Sequence, residues 1–291
     1  MTGAVADRPR DLLVSGHVNI DRFLSVHSFP AADRTVPVLA HRAELGGTAT
    51  NIARVASKLG VATGLIARVG DGFPDEFLTN FRRAGIDIRG IDRIRGTPTP
   101  TCYIIEDRDG GQRTIIDQGT MSGAPTAKPP TRWLGEYSWV HLTTADPAFQ
   151  LRLLAAARAH GVRVAADPAQ EIHYRWDAGS FRRLLRGSEI LFGNRAEIAR
   201  ALEFVGAHRV EELLEHVPLV VRTDGTQGAS AFSRSESVHV LATRPSRVRT
   251  VVGAGDAFRG GFYAGWFAGQ PLSGCLAAAS RSAARWIEGR R

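Results

Sequence analysis

Only two cysteines occur in 291 residues, Cys102 and Cys275, far apart and without Cys-x-x-Cys spacing. That scarcity excludes a disulfide framework and a structural zinc site, and both thiols are expected as small buried hydrophobes. No stretch reaches the roughly 20 consecutive apolar residues of a membrane helix, so no membrane partner is expected. Met1 to Arg10 lacks the apolar centre of a secretory signal and reads as a flexible tail, with the cytoplasm as the default compartment. Internal repeats, low-complexity segments and an interdomain linker are absent too. The formal charge of +8 raises the question of nucleic acid, but the arginines (Arg82, Arg83, Arg182, Arg183, Arg290, Arg291) are scattered rather than clustered among aromatics. No nucleic-acid partner is expected; anionic small substrates or a plain solvated surface account for the charge.

What is present is an alternation of short apolar runs and helical patterns. Leu12 to Gly16 reads as a buried strand whose end delivers Asn19-Ile20-Asp21 into a cleft. Glu44-Leu45-Gly46-Gly47 leads into a helix from Asn51 to Gly60; Ala62 to Val69 reads as a strand and Pro74 to Ala84 as a helix. From Ser138 onward the pattern repeats: strands at 138–142, 162–166 and 189–192 alternate with helices at 147–160, 180–186 and 196–204. Strands at 217–222, 229–232 and 238–241 and helices at about 254–268 and 272–288 close the chain. Such alternation predicts an α/β doubly wound sheet. Thr101 to Glu106 and Gln112 to Asp117 flank Asp107-Arg108-Asp109-Gly110-Gly111, a hairpin pattern that, with the β-prone Thr35 to Leu39, predicts a small separate β lid.

The chemistry concentrates in Val251-Val252-Gly253-Ala254-Gly255-Asp256. Gly253 and Gly255 let backbone N–H groups approach a ligand, and a helix starting there favours an anion such as phosphate. A carboxylate is poorly matched to phosphate by charge, so Asp256 is a candidate base for a hydroxyl that attacks phosphorus. A tight turn with an acidic first helical turn is the competing reading. The run Val221-Arg222-Thr223-Asp224-Gly225-Thr226-Gln227-Gly228 places hydroxyls and glycines after a strand, suited to nucleotide phosphates and equally to a hairpin turn. Asn194 and Glu197 match a capping pair, and in a phosphotransfer cleft they could arrange waters around Mg²⁺. Asn19, Asp21, Gly47 and Asn51 supply amides and a carboxylate that match sugar hydroxyls. A dinucleotide oxidoreductase is disfavoured, because no glycine fingerprint follows the first strand.

Taken in order, these elements resemble the PfkB-type, ribokinase-like carbohydrate kinases from about Leu12 to about Arg285, including Val69-Gly70-Asp71-Gly72-Phe73 before a helix. The resemblance implies a three-layer α/β/α ribokinase-like domain over 11–291, with lid segments at about 33–45 and 97–119, transferring the γ-phosphoryl group of ATP to a primary hydroxyl. It implies Asp256 as base and the backbone of Gly253, Ala254 and Gly255 as anion hole. Asp21, Gly47 and Asn51 would contact sugar, with Asn19 beside them; Thr223, Gly225 and Gly228 would line the nucleotide; Asn194 and Glu197 would support Mg²⁺. Arg259, three residues beyond Asp256, would reach phosphate or anchor Asp256. It also allows a homodimer through the lid. Family members commonly carry Asp-Thr where this chain has Thr250-Val251, which argues against potassium dependence.

Thr97-Pro98-Thr99-Pro100-Thr101, Ala145-Asp146-Pro147-Ala148-Phe149, Asp167-Pro168-Ala169-Gln170 and Gly255-Asp256-Ala257-Phe258-Arg259 are similar to the archaeal-type nucleoside kinases of this family. A nucleoside needs a wall for its base, for which Phe23, Tyr103 and His173 are candidates. A sugar phosphate needs cations near the lid, for which Arg34, Arg42, Arg113 and Arg175 are available. The expectation is a nucleoside or ribosyl acceptor, with a sugar-phosphate kinase or a non-catalytic sugar- or nucleotide-binding regulator as alternatives. ATP and ADP both remain open as donor.

Overall fold

The computed structural model describes residues 10–123 and 127–290. Nine strands form the main sheet: β1 (Arg10–Ser15), β4 (Thr63–Asp71), β5 (Asp87–Pro98), β8 (Tyr137–Leu142), β9 (Arg163–Ala166), β10 (Ile190–Asn194), β11 (Leu219–Thr223), β12 (Ala229–Ser233) and β13 (Ser237–Val240). Their spatial order is β13-β12-β11-β10-β9-β8-β1-β4-β5, parallel from β5 to β11 and antiparallel beyond. The chain winds outward from β1 in both directions, so the switch point lies between β1 and β8, where a doubly wound sheet opens a crevice.

Both faces are covered, and β1 shows why. Leu12 and Val14 enter one core with α1 (Thr48–Lys58), α6 (Ala254–Phe267) and α7 (Leu272–Ile287); Leu13 enters the other with α3 (Pro147–Ala159), α4 (Ala178–Arg186) and α5 (Arg195–Val205). The period-two alternation of an apolar strand thus feeds two layers at once. α2 (Asp75–Arg83) buries Phe81 in the first core. The result is a three-layer α/β/α arrangement. Among the described residues no helix is long and apolar enough to cross a membrane.

A second sheet of four strands, β3-β2-β6-β7, stands apart: β2 (Asn19–Ser25), β3 (Ala40–Gly46), β6 (Thr101–Glu106) and β7 (Gln112–Asp117). The hairpin expected at β6 and β7 is there, but Thr35 to Leu39 is not a strand; the strand begins at Ala40. Pro37 has no N–H for a ladder. β2 was not expected as a lid strand at all, yet it forms the centre of this sheet, pairing β3 and β6. β5 was also missed, because its Arg89, Asp92, Arg93 and Arg95 dilute the apolar signal on a sheet edge. Arg10, assigned to the tail, begins β1 and pairs with Asp87 at 3.0 Å; the rest of that segment, residues 1–9, lies outside the described residues. Cys275 is buried as expected, whereas Cys102 is half-buried.

Candidate active site

Asp256 occupies the first turn of α6, and the residue before that helix, Gly253, sits at φ 80°. A Cβ there would lie 2.9 Å from the Trp286 ring and 3.0 Å from Asn51 Nδ2, in a left-handed backbone that side chains disfavour. Trp286 of α7 braces the same loop, donating from Nε1 to the Val252 carbonyl at 2.7 Å. No side chain caps α6. The Ala254 N–H donates to Val251 O at 3.2 Å, which takes Ala254 out of the expected anion hole. The N–H groups of Gly255 and Asp256 have no intrahelical acceptor by position.

Asn51 of α1 crosses to this turn, its Nδ2 donating to Asp256 Oδ2 at 2.9 Å. The two residues are brought together from opposite ends of the chain by packing of α1 on α6. Burial pushes Asp256 up to about 7, against the lowering effects of the Asn51 hydrogen bond and the Arg259 charge, with Asp167 and Asp21 adding to the rise. A carboxyl poised near neutrality suits a general base.

Asp21 and Asn19 arrive on β2, Asn19 Nδ2 donating to Asp21 Oδ1 at 2.6 Å. Gly47 precedes α1 at φ 104°, where a Cβ would strike the His17 carbonyl and lie 2.6 Å from Asn19 Oδ1. Asn19, Asp21, Gly47 and Asn51 are therefore brought together beside Asp256. Arg259 behaves differently. It is 6 % exposed and donates from Nη2 to Asp167 Oδ1 at 2.7 Å, so that arm of its guanidinium is held by a buried carboxylate; a Cβ on Gly255 would lie 2.9 Å from Nη1, and the Arg259 charge lowers Asp256.

Thr223, Gly225 and Gly228 lie in the β11–β12 hairpin. Asp224 fixes this loop by accepting from Arg195 Nε at 3.0 Å and Arg222 Nε at 3.2 Å. Asn194 and Glu197 form a closed capping box: Glu197 N–H donates to Asn194 Oδ1 at 2.9 Å and Asn194 N–H to Glu197 Oε2 at 2.7 Å. Burial raises the Glu197 carboxyl, and Arg259 pulls it down. Among the described residues no group of three His, Cys, Asp or Glu could hold a metal.

Sequence reasoning gave no role to Asp167, His141 or Trp286. Asp167 alone carried a local signal, since it directly follows an apolar strand, as Asn194 ends one.

The pfkB family carbohydrate kinase model matches residues 9–290. Over 282 residues the chain is 31% identical to a nucleoside kinase of Methanothermobacter thermautotrophicus, covering 96% of this chain and 90% of that protein. It is 30% identical over 263 residues to an ATP-dependent ribose-1-phosphate kinase of Halopiger xanaduensis, covering 88% and 84% of the two chains. Its fold matches the crystal structure of the Methanocaldococcus jannaschii nucleoside kinase, an archaeal member of the ribokinase family, with a TM-score of 0.90 at 24% identity over 96% of this chain and 92% of that one. Matched by this family model along almost its full length, and by relatives at 30% identity or more, the chain belongs to the pfkB family of carbohydrate kinases.

Proposed function

We propose that the protein transfers the γ-phosphoryl group of ATP, with Mg²⁺, to a primary hydroxyl of a ribosyl acceptor, a nucleoside ahead of a sugar phosphate. The observation that carries this reading is Asp256 in the first turn of α6, held at 2.9 Å by Asn51 and raised to about 7. In the step, the acceptor hydroxyl gives its proton to the Asp256 carboxylate and its oxygen bonds to the γ-phosphorus. The bond from that phosphorus to the β–γ bridging oxygen breaks, and its electron pair leaves with ADP. The Gly255 and Asp256 N–H groups and the α6 dipole face the charge that spreads over the phosphoryl oxygens. Asp21, Asn19, Gly47 and Asn51 orient the sugar, and Thr223, Gly225 and Gly228 line the nucleotide. Mg²⁺, held through water by Asn194 and Glu197, would neutralise phosphate charge.

A nucleoside is favoured over a sugar phosphate because three of the four expected phosphate-holding arginines, Arg42, Arg113 and Arg175, are engaged elsewhere. Arg42 pairs with Glu44 at 3.0 Å and lies 3.7 Å from the Phe23 ring centre. Arg113 lies 4.3 Å from the Phe29 ring centre, and Arg175 faces Asp146 at 3.6 Å and Glu171 at 3.4 Å. Phe23 is itself buried, and Tyr103, paired with Arg22, lies on the sheet face opposite Asp21, which leaves His173 as the exposed candidate wall for a base. The similarity to a ribose-1-phosphate kinase keeps the sugar phosphate as the second reading. A screen of ribonucleosides, ribose, ribose 1-phosphate and fructose 6-phosphate, with ATP and ADP each as donor, tests it. ATP-dependent phosphorylation of a nucleoside is expected; transfer only to the sugar phosphates reverses the order, and binding without transfer supports the regulator. The second sheet is proposed as a homodimer surface, since Tyr103 and Ile115, paired across β6 and β7, are 36% and 62% exposed; a monomeric mass by sedimentation rejects it.

A further inference from the structure

The helix carrying Asp256 is fastened again one and two turns along. Asp256, Arg259 and Tyr263 recur at intervals of three and four residues and share a face of α6. Arg259 Nη2 donates to Asp167 Oδ1 at 2.7 Å, and its Nε lies against Oδ2 of the same carboxylate. Asp167 follows β9 directly, is fully buried, and donates its own N–H to Leu142 O at 2.8 Å at the end of β8. His141 of β8 places Nε2 3.2 Å from Asp167 Oδ2 and Nδ1 2.8 Å from the Tyr263 hydroxyl. A carboxylate only accepts, so Nε2 carries the proton and Nδ1 accepts from Tyr263. Burial holds this imidazole below its ordinary range, consistent with the neutral form. The path leaves α6 at Arg259, passes through Asp167 and His141, and returns to α6 at Tyr263.

A buried ion pair of this kind contributes little net stability compared with well-packed apolar residues. Burial alone would raise Asp167, yet the Arg259 charge and then His141 hold it below the ordinary carboxylate range, so the pair is ionised. Arg259 also stands 3.8 Å from Glu197, at the start of α5.

We propose that Asp167, acting through Arg259 and His141, is a positioning residue for the catalytic base: it locks the opening turns of α6 onto the ends of β8 and β9 and offsets the Arg259 charge that acts on Asp256. This rests on the general-base reading of Asp256. The groups that act on Asp256 are Asn51 from α1, Arg259 on its own helix, Asp167 after β9 and Asp21 from β2. Neutralising Asp167 leaves Arg259 free to pull Asp256 down; removing Arg259 leaves Asp167 to push it up. A purely structural role gives no such opposed pair of effects.

The test is the pH dependence of kcat/KM with ATP, Mg²⁺ and the four ribonucleosides, read as ADP release. Asp167→Asn moves the acidic limb down by about one pH unit and Arg259→Met moves it up by a similar amount. Arg259→Lys keeps the charge but loses the two-pronged contact, so kcat falls about tenfold with the limb in place and KM little changed. Asp256→Asn serves as the reference. If it retains the acidic limb, the base reading fails. If it abolishes the limb while both single variants leave the limb unmoved, the positioning proposal alone is overturned. The double variant Asp167→Asn/Arg259→Met buries neither charge alone; wild-type kcat in it overturns the proposal even where a single variant does not fold.

Discussion

Two helices, α5 and α6, pack on opposite faces of the main sheet, and they begin differently. α5 is closed by its own side chains, Asn194 and Glu197 each satisfying the other's backbone N–H. α6 starts from Gly253 with no side-chain cap, and its first turn holds a carboxyl raised to about 7. A capped helix end has used its orphan donors; an uncapped one offers them to a ligand. The contrast separates a locally stabilised element from one whose local satisfaction is withheld. The raised Asp256 carboxyl sharpens the point, since burial costs the folded state whenever that group ionises.

Among changes that leave Asp256 itself in place, closing the open end should have the largest effect. In Gly253→Ala the added methyl meets Trp286 and Asn51 at a positive φ, with a strain of about 1–3 kcal/mol. Steady-state kcat with saturating ATP is expected to fall roughly tenfold to a hundredfold; wild-type kcat would show that the open turn is not used. Asn51→Leu deletes the hydrogen bond that lowers Asp256, so the acidic limb of kcat/KM moves above about 7. Activity near pH 6.5 then drops about tenfold and partly recovers near pH 9; an unmoved limb uncouples Asn51 from the base.

Stability carries the same signature in the opposite sense. The folded Asp256 carboxyl near 7 lies above its unfolded value of about 3.9, so the folded protein holds the proton more tightly. The stability this contributes is fully present below pH ~4 and is lost as pH rises through about 7. Asp256→Asn removes that loss, so its Tm should exceed the wild type by about 2–4 °C at pH 8 and approach it at pH 4. The smallest effect belongs to the closed end. Asn194→Ala should cost about 1 kcal/mol and lower Tm by ~2–4 °C, while Asn194→Ser keeps the cap and most of the Tm. An unchanged Tm in Asn194→Ala would deny that the box stabilises α5.

Much of this was readable in the chain, for identifiable reasons. Alternating apolar runs located the parallel strands, and the spacing from Asn194 to Glu197 foretold the box. The glycines around Asp256 marked the open turn because local backbone needs are written in local residues. β2 escaped because Asn19, Asp21 and Arg22 break its apolar pattern, and β5 because it is a charged edge strand. The partner of Asp256 was beyond any local pattern: Asn51 lies 205 residues away. Arg259 illustrates the same limit, for its helical spacing was legible while its commitment to Asp167, 92 residues away, was a product of packing.

The central claim is that the Asp256 carboxylate takes the acceptor's proton. Its most direct test compares γ-phosphoryl transfer from ATP to ribonucleosides by wild type and Asp256→Asn at pH 8, with nucleotide binding followed by the ATP-induced rise in Tm in the same preparations. The account predicts that transfer falls on the order of 10²–10⁴-fold in the variant while the ATP-induced rise in Tm is kept. Equal transfer rates in the two proteins would contradict it.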